Sequence, residues 1–210
     1  MKIVLVDISK PMVEAWREVW ADVVGTTPDV EIVINQGSIF ETPCDAIVSP
    51  ANSFGFMNGG IDYFLSEELG WHVMERVQEK IRGEFDSELL VGQSLIVPTD
   101  HADFPYLISA PTMRVPMALM TNTVMSANVY LAAKAIFIAL KKNPQIQSVA
   151  IPGLGTGVGA VTPFECATKM KKAYEDFYLG QQQFPKTLTQ ASMKHWEETK
   201  VKTLNGEEAI

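Results

Sequence analysis

The chain has 210 residues, 47% of them hydrophobic and 20% charged, with a formal net charge of −8. That length holds one sizeable core and is short for two, and the acidic balance excludes a whole-chain basic footprint for nucleic acid. No apolar run approaches a membrane span, Met1–Ile8 lacks the layout of a signal peptide, and two cysteines, Cys44 and Cys166, form no spaced pair, which fits a reducing cytoplasm.

Lys2–Val6 is a short β-branched run ending at Asp7 and reads as the first strand. Ser9 is placed to cap a helix with Pro11 in its first turn and Met12, Val13, Trp16, Val19 and Trp20 at helical spacing. Val30–Ile34 reads as a second strand, closed by Asn35–Ser38, and Ala46–Ser49 as a third. From Asp62 the pattern turns helical, with a kink or break expected at Gly70. Gln93–Pro98 and Leu107–Ala110 read as strands, and the second runs into a segment stiffened by Pro111 and Pro116. Met125–Lys142 is the clearest helix, stopped by Asn143-Pro144. Gln147–Pro152 reads as a strand, Pro163–Leu179 as a helix, and the segment from 180 to 210 as a polar tail or one loosely docked helix. Strands alternating with helices predict an α/β fold: a three-layer α/β/α sandwich around a mixed, mostly parallel central sheet. In such sheets a ligand sits at the carboxyl ends of the strands.

Two glycine loops follow strands. The first runs from Pro50 through Asn52, Asn58, Gly59 and Gly60 to Asp62. A strand, a glycine-rich turn and a helix N-terminus together suit an anion; an ordinary strand–helix connection is the competing reading. The second, Gly153-Leu154-Gly155-Thr156-Gly157-Val158-Gly159, carries four glycines at alternate positions. Backbone N–H groups freed of side chains there suit a phosphate or diphosphate, against the alternative of a flexible or close-packed turn. Thr162 and Glu165 have capping-box spacing, with Pro163 at the first helical position. No lysine follows the glycines, which excludes the Walker pattern, and the dinucleotide fingerprint fails at Val158 and Ala160.

Taken together, these segments resemble the macro domain family. That family has an Asn-x-Gly-Asp-Ile segment, a strand ending in Asn-Ala-Ala-Asn, a Gly-Gly-Gly-Val turn and a later glycine loop followed by proline. Asn35-Gln36-Gly37-Ser38-Ile39, Asp45–Asn52, Asn58-Gly59-Gly60-Ile61-Asp62 and Gly155–Gly159 with Pro163 follow this order, and Leu107–Pro111 matches the family's central strand ending in proline. The resemblance covers roughly residues 30–180 and implies one macro-like domain over 1–180, with 181–210 as an appendage.

It also implies a pocket for ADP-ribose. The adenosine end would lie near Ser38 and Ile39, and the diphosphate between Gly59–Gly60 and the loop of Gly153, Gly155, Thr156, Gly157, Val158 and Gly159. Asn52 would meet the distal ribose, where Asp62, with Asn52, would be catalytic, and Ala51 would be a further ligand-binding residue. Asp62 has a second reading, as an acidic residue that starts a helix favourably. The family's adenine-reading aspartate is Ser38 here, its Asn-Ala-Ala-Asn is Ser49–Asn52, and its first glycine is Asn58. Arg114 reads as a solvated arginine or an anion contact, and Phe54 and Phe56 as loop anchors or a ligand platform. His72, His101 and His195 show no metal-ligand spacing, and neither metal nor cofactor is implied. The functions in contention are an ADP-ribose-linked hydrolase, a non-catalytic ADP-ribose-binding module and an interaction protein that has lost the ligand. ADP-ribose or a derivative, and an ADP-ribosylated protein, are the partners implied.

Overall fold

Period-two alternation in the short strands divides the core between two faces of one sheet. In β1 (Lys2–Asp7), Ile3 and Leu5 face one cluster while Val4 and Val6 face the other. β3 (Ala46–Ser49) and β6 (Ser148–Ile151) divide in the same way. The computed structural model describes residues 1–119 and 127–199. β2 (Glu31–Gln36), β4 (Leu95–Pro98) and β5 (Tyr106–Ser109) complete a six-stranded sheet of order β2-β1-β6-β3-β5-β4. All neighbours are parallel except β4, which runs antiparallel to β5 at the edge.

On one face lie α1 (Lys10–Val19), α4 (Ala127–Lys142) and α5 (Pro163–Ala173), packed through Val13, Trp16, Ala132, Ile136, Cys166 and Met170. On the other lie α2 (Gly60–Leu69) and α3 (His72–Glu84), packed through Leu65, Leu69, Val73, Val77 and Ile81. The expected mixed, mostly parallel sheet with helices on both faces is the observed one. The helical pattern after Asp62 breaks at Gly70, whose φ of 93° is readily adopted only by glycine.

The structure departs from the sequence reading at some boundaries. Ser9 occupies the cap position of α1 but makes no side-chain cap; its N–H instead donates to Asp7 Oδ1 (2.8 Å). The helix expected from Met125 is described from Ala127, and Met125 lies outside the described residues. The expected helix to Leu179 is α5 continued by one π-helical turn, Tyr174–Tyr178. Beyond it, α6 (Leu188–Thr199) lies against α4.

Candidate functional site

The carboxyl ends of the five parallel strands carry one loop each, in the order the sheet sets. Gly37–Phe40 follows β2, and Asp7 and Ile8 end β1. Pro152–Gly159 follows β6, Pro50–Asp62 follows β3, and Thr112–Pro116 follows β5. Residues of all five line a single cavity of about 1040 Å³. At about 4.8 Å between strands, the four intervals from β2 to β5 span roughly 19 Å. Gly59 and Gly157, far apart along the chain, therefore face the same space.

The two glycine loops share one property. The backbone N–H groups of residues 58–62 and 155–159 find no acceptor among the described residues. In the second loop two glycines serve the turn itself. Gly155 has a φ of 71°, and a Cβ on Gly159 would lie 2.4 Å from the Gly155 carbonyl oxygen. Gly157 differs, since a Cβ there would meet nothing within 4 Å; it is bare backbone facing open space. The loop is fastened from below by Cys166, whose sulfur accepts from Leu154 N–H (3.2 Å). Burial pushes that thiol up to about 12, so it stays neutral and unreactive. The half of the capping box expected from Thr162 is present, with its Oγ1 accepting from Glu165 N–H (3.3 Å).

In the first loop Asp62 sits in the opening turn of α2 and is buried, yet lines the cavity. The Ser49 hydroxyl, at the end of β3, donates to its Oδ1 (2.6 Å), while Oδ2 receives no hydrogen bond among the described residues. Loss of water raises its pKa to about 6, and the Ser49 bond opposes this only in part. Asn52 also lines the cavity, but its side chain is largely engaged by its own loop. Oδ1 accepts from Phe54 N–H (3.1 Å) and Phe56 N–H (3.3 Å), and Nδ2 donates to Phe56 O (2.8 Å). One N–H remains for a ligand.

Ser38, Ile39, Ala51, Gly153, Thr156 and Val158 line the cavity along with the glycines. Arg114 does not; it is an ion-pair partner of Glu88 (2.6 Å) and lies over the Phe54 ring (5.3 Å). Phe56 is half exposed and lines the cavity, as does Phe64. His72 contacts the Thr99 carbonyl oxygen (2.9 Å), away from the cavity.

Sequence reasoning missed Asp7 and Ile8. Both line the cavity from the tip of β1, and only the strand order reveals it. The signal available was an acidic residue closing a buried strand, which many strands share. Among the described residues the lining carries the carboxylates Asp7, Asp62, Glu67 and Glu68 and no lysine, arginine or histidine. An anion entering this cavity would meet backbone N–H groups and the N-terminus of α2, and no counter-charged side chain among the described residues.

A mostly parallel six-stranded sheet with two glycine loops converging at its carboxyl edge defines a class of protein. The macro domain family model matches residues 48–170, and the chain belongs to the macro domain family. An uncharacterized protein of Aquifex aeolicus is 33% identical over 140 residues, covering 67% of this chain and 78% of its own length. Among solved structures, a mutant of the Oceanobacillus iheyensis macrodomain with ADPR superposes with a TM-score of 0.59 at 20% identity, covering 68% of this chain and 75% of that one. The macrodomain of Mycobacterium tuberculosis DarG superposes with a TM-score of 0.55 at 20% identity, covering 68% and 88% respectively. At that identity the structural likeness concerns the fold. The family match begins at residue 48, so β1, α1 and β2 lie ahead of it.

Proposed function

We propose that the cavity binds ADP-ribose or a derivative, and that Asp62 promotes hydrolysis of a bond at the distal ribose. The observation that carries the binding is the convergence of two sets of unpaired backbone N–H groups, residues 58–62 and 155–159, on one cavity of about 1040 Å³. Family membership supports it, as does the ADPR held by the Oceanobacillus iheyensis macrodomain. In this reading the adenosine lies at the β2 and β1 tips, the diphosphate between the β6 and β3 loops, and the distal ribose toward β3 and β5, an order that the arrangement of the strands supports. Residues 1–180 form the binding unit in this reading, with 181–210 appended to it.

Asp62 supports the chemistry. A carboxyl titrating at about 6 is mostly ionised at pH 7, yet basic enough to take a proton from water in a transition state. Its Oδ2 is the oxygen left for that proton. As the water oxygen bonds to the reacting centre, the bond to the leaving group breaks and the leaving group keeps the electron pair. The diphosphate, held by both loops, fixes the ribose for attack. The substrates in view are an ADP-ribosylated protein, O-acetyl-ADP-ribose and ADP-ribose 1″-phosphate.

A second reading, binding without turnover, is favoured by Asn52, whose side chain keeps a single N–H for a ribose hydroxyl. Calorimetry with ADP-ribose, AMP and NAD, followed by turnover assays on wild type and Asp62→Ala, separates the two. Binding with turnover that needs Asp62 supports the hydrolase. Binding without turnover leaves the module, and no binding removes both.

A further inference from the structure

The end of the cavity at β1 and β2 carries a carboxylate that the family resemblance does not supply. Asp7 closes β1, in register with Gln36 of the neighbouring strand, and its carbonyl oxygen accepts from Gly37 N–H (3.1 Å). Its carboxylate is held in one orientation by two backbone donors: Ser9 N–H on Oδ1 (2.8 Å) and Gly153 N–H on Oδ2 (3.1 Å). Each bond takes one lone pair and leaves the oxygen another. The residue is half-buried and lines the cavity together with Ser38 and Ile8.

Those neighbours complete a small recognition surface. Ser38 Oγ accepts from Phe40 N–H (3.3 Å), which leaves its own hydrogen to donate. Ile8 is 78% exposed, an apolar side chain at the cavity wall. That end of the cavity thus offers an acceptor-only carboxylate, a hydroxyl with a free hydrogen and an apolar surface for a flat ring. Adenine matches this set, with an exocyclic amine that donates beside a ring nitrogen that accepts. A purine bearing a carbonyl in place of the amine would aim lone pairs at the carboxylate.

We propose that Asp7, with the Ser38 hydroxyl, is the base-reading pair of this site, and that it selects adenine over carbonyl-bearing purines. The proposal rests on the ADP-ribose reading and gives that ligand's base a specific reader. A charged acceptor at position 7 performs what a neutral hydroxyl at position 38 does only weakly. It does so from a strand ahead of the segment that the family model matches.

The test is calorimetry of the full chain with ADP-ribose, ADP, IDP and GDP, in wild type and Asp7→Asn. Wild type is expected to bind ADP about tenfold or more tightly than either IDP or GDP, the scale of a hydrogen bond to a charged group. In Asp7→Asn the amide donates where the carboxylate accepted. ADP affinity is expected to drop by about tenfold while IDP affinity holds or rises, bringing the two within about threefold. Retention of the ADP preference in the variant would overturn the proposal. So would equal weakening of ADP and IDP, which would reduce Asp7 to holding the Gly153 turn. Wild type that binds IDP or GDP as tightly as ADP also sinks it, and that comparison needs no variant to fold. Failure of wild type to bind ADP-ribose at all overturns the parent reading, an outcome distinct from every loss of base preference.

Discussion

Asp62, in the first turn of α2, and Asp7, at the tip of β1, are both carboxylates on the wall of one cavity, and their surroundings set them apart. Asp62 is buried, takes one hydroxyl hydrogen bond and is raised to about 6. Asp7 is half-buried and accepts from two backbone N–H groups that fix its direction. The first has lost water without full replacement, and its charge is costly there, which suits a group that must exchange a proton. The second is oriented by fixed donors, which suits a group that must read a shape. Two strand intervals, roughly 10 Å, separate the β1 tip from the β3 tip, where Ser49 bonds Asp62.

The largest effect is expected at Asp62. Asp62→Asn should lower turnover by about a hundredfold or more while leaving ADP-ribose affinity within about threefold, since general bases contribute on that scale. Wild-type activity should rise with pH through about 6 and then level off. The same substitution tests the cost of the buried charge. The folded pKa of about 6 lies above the ordinary 3.8, so between those values the folded state binds the proton more tightly than the unfolded one. The stability this confers is complete below about pH 4 and is lost as pH rises through 6, roughly 3 kcal/mol in all. Asp62→Asn should therefore raise Tm at pH 8, by about 2–4 °C for each kcal/mol recovered, and bring little change at pH 4. Unchanged turnover, or a lower Tm at pH 8, would end the contrast between the two carboxylates.

The glycines come next. Gly157→Val places a side chain where nothing lies within 4 Å. It should reduce ADP-ribose affinity by about tenfold or more with Tm almost unmoved, since the cavity and not the fold is filled. Gly159→Ala would bring a Cβ to 2.4 Å from a backbone carbonyl and should lower Tm as well, at a cost of about 1–3 kcal/mol. If both variants lose stability alike, the second loop is a packed turn and not a ligand cradle.

Ser49→Ala removes the one hydrogen-bond donor that Asp62 has among the described residues. The acid limb of the pH–activity profile should move up by about one unit, the scale of a hydrogen bond to a charged group, with the plateau rate little changed. The smallest effect concerns salt. Among the described residues the lining has no basic side chain, which leaves screening no attraction to weaken, so ADP-ribose affinity should not fall by more than about threefold between low and moderate salt. A steep loss would reveal a cationic contact.

Much of the site was legible from residue types. The Gly59-Gly60 pair and the alternate glycines of 155–159 stand out because closely spaced residues without side chains between a strand and a helix leave backbone N–H groups bare. The short β-branched runs gave strand positions to within a residue or two, since strands buried on both faces read as continuous apolar stretches. Arg114 and Asn52 were less legible. Whether an arginine faces a ligand depends on where Glu88 ends up, and whether an amide is available depends on how its own loop closes. Asp7 could not be read as a site residue at all, because nothing local separates it from any acid that closes a strand.

The linear order of residues determined the local elements, the class of fold and the two glycine loops, because period, turn chemistry and capping act over a few residues. Tertiary structure decided which strand tips are neighbours, and so brought Asp7 beside Ser38 and Gly59 to the same cavity as Gly157. It also decided that Asp62 is buried with one hydroxyl for company. Burial and convergence depend on segments remote in the chain packing against one another, and hydrogen-bond availability and proton affinity follow from that packing.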